Sequence, residues 1–336
     1  MRPTMFLVLT LAAFLPGSAR ADDEAKPLAS RAMGAHLAST PFLDSAALRY
    51  AVVPFVHGLP EAFAELGDDR VAIALLEPGR GWAVAGARTA LGPEGIDGRK
   101  VAVAHADEAD RLAVVASAGG APVLALVGAA GPGVHIEPQP ALDVTVPMSA
   151  VELSGVPATA VAEGEPGQAV LSRLTTVGAL LAAAESVGAA GRMLEDACAY
   201  AAERRQFGRA IASYQALRHL LADMHVRQAS AWSTVLYAAA ALDDDLPEAL
   251  LTAAVAKAYV ARAAREVAHG ALQVFGGIAF TEEHQAHRFL RRIVVRERQF
   301  GDAAHHEREI GRALAARAGE RAQAHAAPTV TSAAAG

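Results

Sequence analysis

The chain has a single cysteine, Cys198, in 336 residues. One thiol forms no internal disulfide and builds no cysteine-based zinc site. Its place in an Ala-rich helical run predicts a buried structural thiol. Lysine is scarce as well: Lys26, Lys100 and Lys257 are the only three, so nearly all basic charge is Arg. Thirty Lys and Arg against 36 Asp and Glu leave a net charge of −6. That balance lacks the basic face of a nucleic-acid protein. The sequence has no Walker-type or Rossmann glycine loop, which argues against ATP and nicotinamide chemistry. The apolar run from Met5 to Leu15 is too short to span a bilayer, which takes ~20 residues, and no other segment reads as a span. What is abundant is apolar side chain, 53% against 20% charged. That excludes general disorder and leaves material for a large core.

Texture divides the chain. The run Met5–Leu15, then Ala19-Arg20-Ala21 before Asp22, matches a secretory signal pattern. Residues 1–24 are therefore set apart as a signal-like or artefactual N-terminus. Residues 25–68 read as a small helical domain: Met33, Leu37, Leu43, Ala47, Leu48 and Val52 recur at helical spacing, and Pro41 and Pro54 cut it into short pieces. From 69 to 164 short β-branched runs take over, at Val71–Leu76, Gly81–Ala85, Lys100–Ala104, Arg111–Val115 and Pro122–Val127. Gly, Pro and Asp punctuate them, as at Ala118-Gly-Gly-Ala121, which predicts an antiparallel β domain. Residues 165–320 are almost free of proline. Leu174, Val177, Leu181, Ala184, Gly188, Gly191 and Leu194 hold helical spacing. Helices are expected near 169–204, 214–243, 247–275 and 281–299, with a shorter one at 303–318, and short loops make them an antiparallel four-helix bundle. The Ala/Pro/Thr-rich tail, 321–336, predicts disorder. The class is α+β in the order short α, β, long α bundle.

Chemistry gathers at the expected helix ends. Glu203-Arg-Arg-Gln-Phe-Gly208 closes the first bundle helix, Gln215 opens the next, and Gln273-Val-Phe-Gly-Gly277 ends the third. A diphosphate needs cationic charge and free N–H donors, which Arg and helix starts supply. Paired glycines admit a bulky ligand close to the backbone, and Gln can reach a polar ring edge or a hydroxyl. The plainer alternative is that Arg204 and Gln273 only cap helices.

These segments resemble the acyl-CoA dehydrogenases. The resemblance rests on Arg204-x-Gln-Phe-Gly208, Tyr214-Gln215, Leu221-Ala-Asp-Met224 and Gln273-x-x-Gly-Gly-x-x-Phe-Thr281 with Glu283-His284. It extends to Gly34-x-x-Leu-x-x-x-Pro-Phe-Leu43, Leu76-Glu-Pro-Gly79 and the strand from Lys100. It implies three domains, FAD, and a dimer or tetramer in which Arg204, Phe207, Gln215, Gln273, Gly276 and Gly277 contact the FAD of a neighbouring subunit. It also implies an acyl-CoA substrate, dehydrogenated between Cα and Cβ, and an electron-transfer flavoprotein as acceptor. The N-terminal helical domain is short against the family's, so the start is expected to be misplaced or the first helices lost. A cytoplasmic location is expected, where FAD and CoA are found, with export the alternative if residues 1–24 are a genuine signal.

The chain departs from the family where the reaction needs a base. By the resemblance that Glu lies either at Phe300 (Gly301 with one gap), counting from Gly276-Gly277, or at Gly178, counting back from Val187-Gly188. None is a carboxylate. Glu185 and Glu297 lie nearby, and Asp302 is the nearest stand-in, with a helix N-cap as its plainer role. The family's Trp-x-Thr-Asn-Gly strand against the flavin reads Ala102-Val-Ala-His-Ala106 here, and Trp82 replaces a small hydroxyl residue. Trp82 could stack on a ring or sit in the core. The run Arg288, Arg291, Arg292, Arg296, Arg298 is expected to be a solvated or interface face, with phosphate binding the sharper reading. No metal is expected at His284/His287 or His305/His306. Two functions remain open: an acyl-CoA dehydrogenase, or a non-catalytic partner subunit of a heteromeric one, which lacks the base.

Overall fold

The structure is a computed structural model that describes residues 29–51, 61–64, 66, 68–82 and 86–326. The signal-like segment and most of the 321–336 tail lie outside the described residues. Three short helices come first: α1 (29–35), α2 (Phe42–Ala51) and α3 (Glu61–Ala64). Strands β1 (Val71–Ala74), β2 (Ala90–Gly92), β3 (Gly95–Ala104), β4 (Arg111–Ala118), β5 (Ala121–Gly128), β6 (Val134–Gln139), β7 (Met148–Val156) and β8 (Ala160–Ala162) form the sheet. Helices α4 (Gly164–Glu203), α5 (Gln215–Asp243), α6 (Ala249–Phe275), α7 (Ala286–Arg298) and α8 (Ala303–Ala326) follow, with a two-stranded hairpin, β9 (Arg205–Gln206) and β10 (Arg209–Ala210), between α4 and α5. Helix α8 runs past the point where the composition predicts disorder, and α7 begins at Ala286, not near 281.

The sheet order is β6-β7-β3-β2-β4-β5-β8, with β1 beside β4. It is mixed, and this corrects the expectation of a purely antiparallel domain. β1 pairs β4 in parallel, from Val71↔Arg111 to Ala74↔Val114, and β2 touches β4 in parallel at Ala90↔Ser117. The β2–β3 excursion supplies the long connection that a parallel pair requires. Of the expected strand at 81–85, Gly81 and Trp82 lie outside any strand and the rest lies outside the described residues. The β4–β5 hairpin turns at Gly119-Gly120, both at positive φ, as a two-residue turn demands.

Alternate residues of β4 and β5 enter two cores. Ala113, Val115, Leu124 and Leu126 join the large cluster against the helices, while Leu112, Val114, Ala125 and Val127 join a smaller one with Ile96, Val151 and Leu153. A sheet buried on both faces reads as unbroken apolar runs, which is the texture of this segment. The outer edge of β1 is closed by side chains of α2. Val71 N donates to Ser45 Oγ at 2.8 Å and Ile73 N to Asp44 Oδ2 at 2.9 Å.

Helix α4 is the axis of the molecule. It packs on α6, α7, α5, α2 and β5. It is long and apolar enough to cross a membrane, but 83% of its most apolar stretch is buried inside the fold. Its contact with α1 is backbone to backbone. A Cβ on Gly34 would lie 1.9 Å from Glu185 O, and one on Gly188 would lie 1.8 Å from Arg31 O. Only glycine permits that approach.

Candidate functional site

Helices α4, α5 and α6 run up, down and up, so the C-terminus of α4, the N-terminus of α5 and the C-terminus of α6 share one end of the bundle. Tyr200 and Phe275 meet there edge to face at 5.6 Å. This end collects Arg204, Phe207, Gln215, Gln273, Gly276 and Gly277. Arg204, Gln215, Gln273 and Gly277 are exposed, and a Cβ on Gly276 or Gly277 would meet nothing within 4 Å. The Arg204 side chain makes no hydrogen bond or ion pair with another described residue, so it is free to meet a ligand. Phe207 is 93% exposed. It forms the β9–β10 turn with Gly208, at φ 51 against 78 for the glycine. A bulky residue held left-handed and bare to solvent is strained, and such strain gathers at functional positions. The hairpin is braced from behind: the Arg209 guanidinium lies 3.9 Å from the Tyr214 ring centroid, and the Tyr214 hydroxyl donates to Gln206 O at 3.1 Å. Beside this end, a groove of about 280 Å³ lies between α4, the end of α6 and α7, lined by Arg192, Tyr200, Phe275, Glu283 and His284 among others; sequence reasoning did not find it.

The positions that the resemblance assigns to the base meet at the other functional locus, between the bundle and the sheet. Phe300 follows the end of α7 at φ 57 and is buried. Its ring lies on Gly178, where a Cβ would fall 2.6 Å from Phe300 Cε1. Trp82 lies beside it, with ring centroids 6.4 Å apart. The two counterpart positions thus form one apolar contact. Phe300, Trp82, Ala102, Ala104, Leu76, Gln299 and Asp44 line a single cavity of about 30 Å³. Ala102 sits in a bulge of β3, between the register positions Lys100 and Val103, at φ 52, and His105 is also left-handed at φ 52. Two of these left-handed non-glycine residues, Ala102 and Phe300, line the cavity.

The other acids near this locus are committed elsewhere. Asp302 Oδ1 accepts His305 N at 2.8 Å and caps α8. Glu185 is fully buried and bound to Arg292 and Arg296, the latter with Nε 3.0 Å from Oε2 but without hydrogen-bond alignment. Glu297 pairs with Arg265. The one carboxyl lining the cavity is Asp44, which sequence reasoning missed. Burial pushes its pKa up to about 6, against the lowering effect of the Ile73 N–H bond and of Arg296. Its only signal was an acid just after Pro-Phe-Leu, in the first turn of a short helix.

Two further expectations are corrected. Arg292 and Arg296 do not lie on a solvated face: they are buried at 0% and 2% exposure. Arg292 binds Asp143, Glu185, Thr145 Oγ1 and, at 3.2 Å, Ala38 O. It thereby ties α7 to α4, to the loop before β7 and to the N-terminal segment. Arg288, Arg291 and Arg298 of the same run are exposed. Cys198 is exposed, not buried, because it falls on the outward side of α4. Partial burial and Glu195 push its thiol pKa up, which makes it a poor nucleophile. The turn that carries Phe300 is held by Lys257, which donates to Arg296 O, and by His306 Nε2, 3.0 Å from Phe300 O. Burial, foremost, and Lys257 lower the His306 pKa to about 4, so His306 is neutral and donates.

FAD fits this chain at one end only. The open bundle end offers a cation, amides and a glycine turn to a diphosphate. The place for the ring, between Trp82, Ala102, Ala104 and Phe300, is narrowed by the Trp82 and Phe300 rings, 6.4 Å apart, and lacks the family's Thr hydroxyl and Trp face.

Comparison with known proteins agrees with this architecture. The family model described as "Acyl-CoA dehydrogenase, C-terminal domain" matches residues 166–331. The chain is 39% identical over 169 residues to acyl-CoA dehydrogenase FadE34 of Mycobacterium tuberculosis, covering 50% of this chain and 23% of that protein. It is 35% identical over 156 residues to acyl-CoA dehydrogenase IpdE2 of Mycolicibacterium smegmatis, covering 46% and 45%. The chain thus spans less than half the length of these curated relatives. Among solved structures, the Tcur3481-Tcur3483 steroid ACAD variant superposes with a TM-score of 0.81 at 26% identity, over 94% of this chain and 88% of that one. The ChsE4-ChsE5 complex from Mycobacterium tuberculosis gives 0.78 at 26%, over 93% and 87%. Acyl-CoA dehydrogenases are FAD flavoproteins. With the bundle matched in sequence and nearly the whole chain matched in fold, the chain belongs to the acyl-CoA dehydrogenase family.

Proposed function

We propose that the chain is the non-catalytic subunit of a heteromeric acyl-CoA dehydrogenase. It pairs with an unlike chain that carries the base and oxidises an acyl-CoA thioester between Cα and Cβ. FAD supplies the hydride acceptor in that reaction, and an electron-transfer flavoprotein takes the electrons onward. This chain contributes Arg204 to the cofactor's diphosphate, Gln215 and Gln273 to its polar edges, and Phe207 and the Gly276-Gly277 turn to the surface that closes over it. The complex works in the cytoplasm, where FAD and CoA are found.

One observation carries this reading: Phe300 is seated on Gly178. Abstraction of the weakly acidic α-proton needs a carboxylate in contact with it, at ~3 Å, and both places for one are spent on an apolar packing contact. One of the similar solved structures is the ChsE4-ChsE5 complex, and another carries a paired chain name, Tcur3481-Tcur3483; both support an unlike partner. The competing reading, a self-sufficient dehydrogenase, has Asp44 in its favour, as the buried carboxyl at the cavity.

The test is turnover with a dye acceptor and a panel of acyl-CoA thioesters, a steroid thioester among them because one neighbour is described as a steroid dehydrogenase. The chain is assayed alone and co-expressed with an acyl-CoA dehydrogenase encoded beside it. Activity should appear only with the partner. Turnover by the chain alone that is lost in Asp44→Asn would replace the partner reading with the enzyme reading.

A further inference from the structure

The outer face of α7 carries charge that the helix itself does not explain. Arg288, Arg291 and Arg298 are exposed. At about 100° per residue they fall within about 80° of one another, along roughly 15 Å of helix. Resting on the partner reading above, we infer that this stripe extends the partner interface and takes an acidic protein surface, so that the unlike chain presents carboxylates along α7.

Three observations set the stripe apart from an ordinary wet surface. The first is its lack of partners. Arg70, Arg99, Arg192 and Arg262 are also exposed, and each pairs with a carboxylate. The side chains of Arg288, Arg291 and Arg298 make no ion pair or hydrogen bond with another described residue. The second is placement. Arg288 stands in the first turn of α7, where the helix dipole disfavours a cation. That turn holds no acid, and the side chain of Gln285 does not cap it. Arg291, three residues on, adds like-charge repulsion. Of the three, Arg298 alone suits the helix, at its C-terminal end. The third is that the inner face does the packing: Phe289, Arg292, Ile293 and Arg296 are buried, so the hold of α7 on the fold does not use the stripe.

Shape and charge choose the occupant. A convex helix face encloses no small ligand, and none of the three arginines lines the neighbouring groove of about 280 Å³. A net charge of −6 argues against nucleic acid. The buried apolar side chains of α7 point inward, which leaves nothing to insert into a bilayer. Two copies of this chain meeting through the stripe would set like charge against like, which opposes association. Carboxylates on an unlike chain fit it. The stripe is also continuous with the bundle end. Helix α7 starts at Ala286, shortly after Phe280 and Ile278, which are exposed at 78% and 43%, so a chain seated on that end reaches the first turn of α7.

The test uses the complex with the co-expressed dehydrogenase subunit. Its dissociation constant is measured by sedimentation at about 0.1 M and about 1 M salt, over which the screening length falls from about 10 to about 3 Å. The wild-type complex should weaken as salt rises. The triple reversal Arg288→Glu, Arg291→Glu, Arg298→Glu should weaken assembly roughly tenfold or more at the lower salt, the scale of several ion pairs turned to repulsion, and should no longer weaken as salt rises. Urea unfolding of the isolated variant should show no loss of stability, because no described partner is removed. The triple variant Arg288→Lys, Arg291→Lys, Arg298→Lys keeps the charge. It should assemble as wild type does and be joined by carbodiimide to Asp or Glu of the partner, an amide forming between each lysine amine and an activated carboxylate, mapped by peptide mass. A complex that forms yet is indifferent to the reversal, or whose lysine variant gives no such cross-link, would overturn the inference and leave the partner reading standing. So would binding of the stripe to phosphatidylglycerol vesicles or to duplex DNA while assembly is unchanged by the reversal. Absence of any complex would sink both.

Discussion

Phe300 pays for its place twice over, in left-handed backbone and in the loss of any side chain at Gly178, and what it gains is packing. Removing the ring should therefore be expensive. Phe300→Ala is expected to lower unfolding free energy by about 3–5 kcal/mol, the range for buried Phe truncation, measured by urea denaturation. Gly178→Ala should also destabilise, because its Cβ would lie 2.6 Å from the ring. The double variant should cost less than the sum, since the clash needs both partners; strict additivity would mean that the two residues do not touch. Asp44 supports a second test at this scale. Burial holds its folded pKa at about 6, well above the ordinary aspartate value of about 4. Between those values the folded state binds more protons than the unfolded one, so stability falls as pH rises from about 4 to about 6. Asp44→Asn keeps an acceptor for Ile73 N and removes the titration. The variant should gain on wild type across that window and hold the gain at pH 7, by on the order of 1–3 kcal/mol. A pH-independent difference would refute it.

At the scale of elements, Arg292 decides how α7 is held. One guanidinium meets two carboxylates, a hydroxyl and a carbonyl drawn from three other segments. Removing one member of a buried ion network typically costs about 3–5 kcal/mol, because its partners stay buried and charged. Arg292→Met should fall in that range by denaturant unfolding. Arg292→Lys should recover little, since a single ammonium cannot span the fork that reaches both Asp143 and Glu185. The same residue shows where the sequence was opaque. Arg292 sits in a basic run that reads as a wet surface, and its partners Glu185 and Asp143 are 107 and 149 residues away. No local pattern announces such a pair. Cys198 was misplaced for a related reason: an Ala-rich helix buried on most sides carries little periodic signal of which side faces out. The bundle helices were legible because proline is missing over a long stretch and large apolar residues recur at helical spacing. The Arg204 and Gln273 segments were legible because several matched segments occur together, in order, at the ends of successive helices. The parallel pairing of β1 was not, because a sheet buried on both faces leaves no alternation to orient its strands. The base-less locus was half legible. Spacing located Phe300 and Gly178, but only the fold could press one against the other and bring Trp82 and Asp44 to the same cavity.

At the scale of the whole molecule, exposed large apolar side chains occur in several places, and three of them fall at the end of the bundle proposed to meet a partner. Phe207 at 93%, Phe280 at 78% and Ile278 at 43% exposure stand at or beside the end of the bundle that carries Arg204 and Gln273. An exposed apolar cluster with a polar rim marks an association surface, and Phe207 allows stability and association to be separated. In the isolated chain its ring touches little and its left-handed backbone costs about 1–2 kcal/mol. Glycine takes that conformation freely, though it adds entropy to the unfolded chain. Phe207→Gly is therefore expected to leave the isolated chain as stable as wild type, or more stable by up to about 1 kcal/mol, in urea unfolding. In the proposed complex the ring would be buried, and truncating a central aromatic at an interface commonly costs about 2 kcal/mol or more. The same variant should weaken assembly with the partner by roughly thirtyfold or more, read by sedimentation at falling concentration. A gain or no change in folding stability with a loss in assembly identifies a residue kept for the partner. Loss of both would make Phe207 a structural residue of this chain, and loss of neither would move the interface elsewhere.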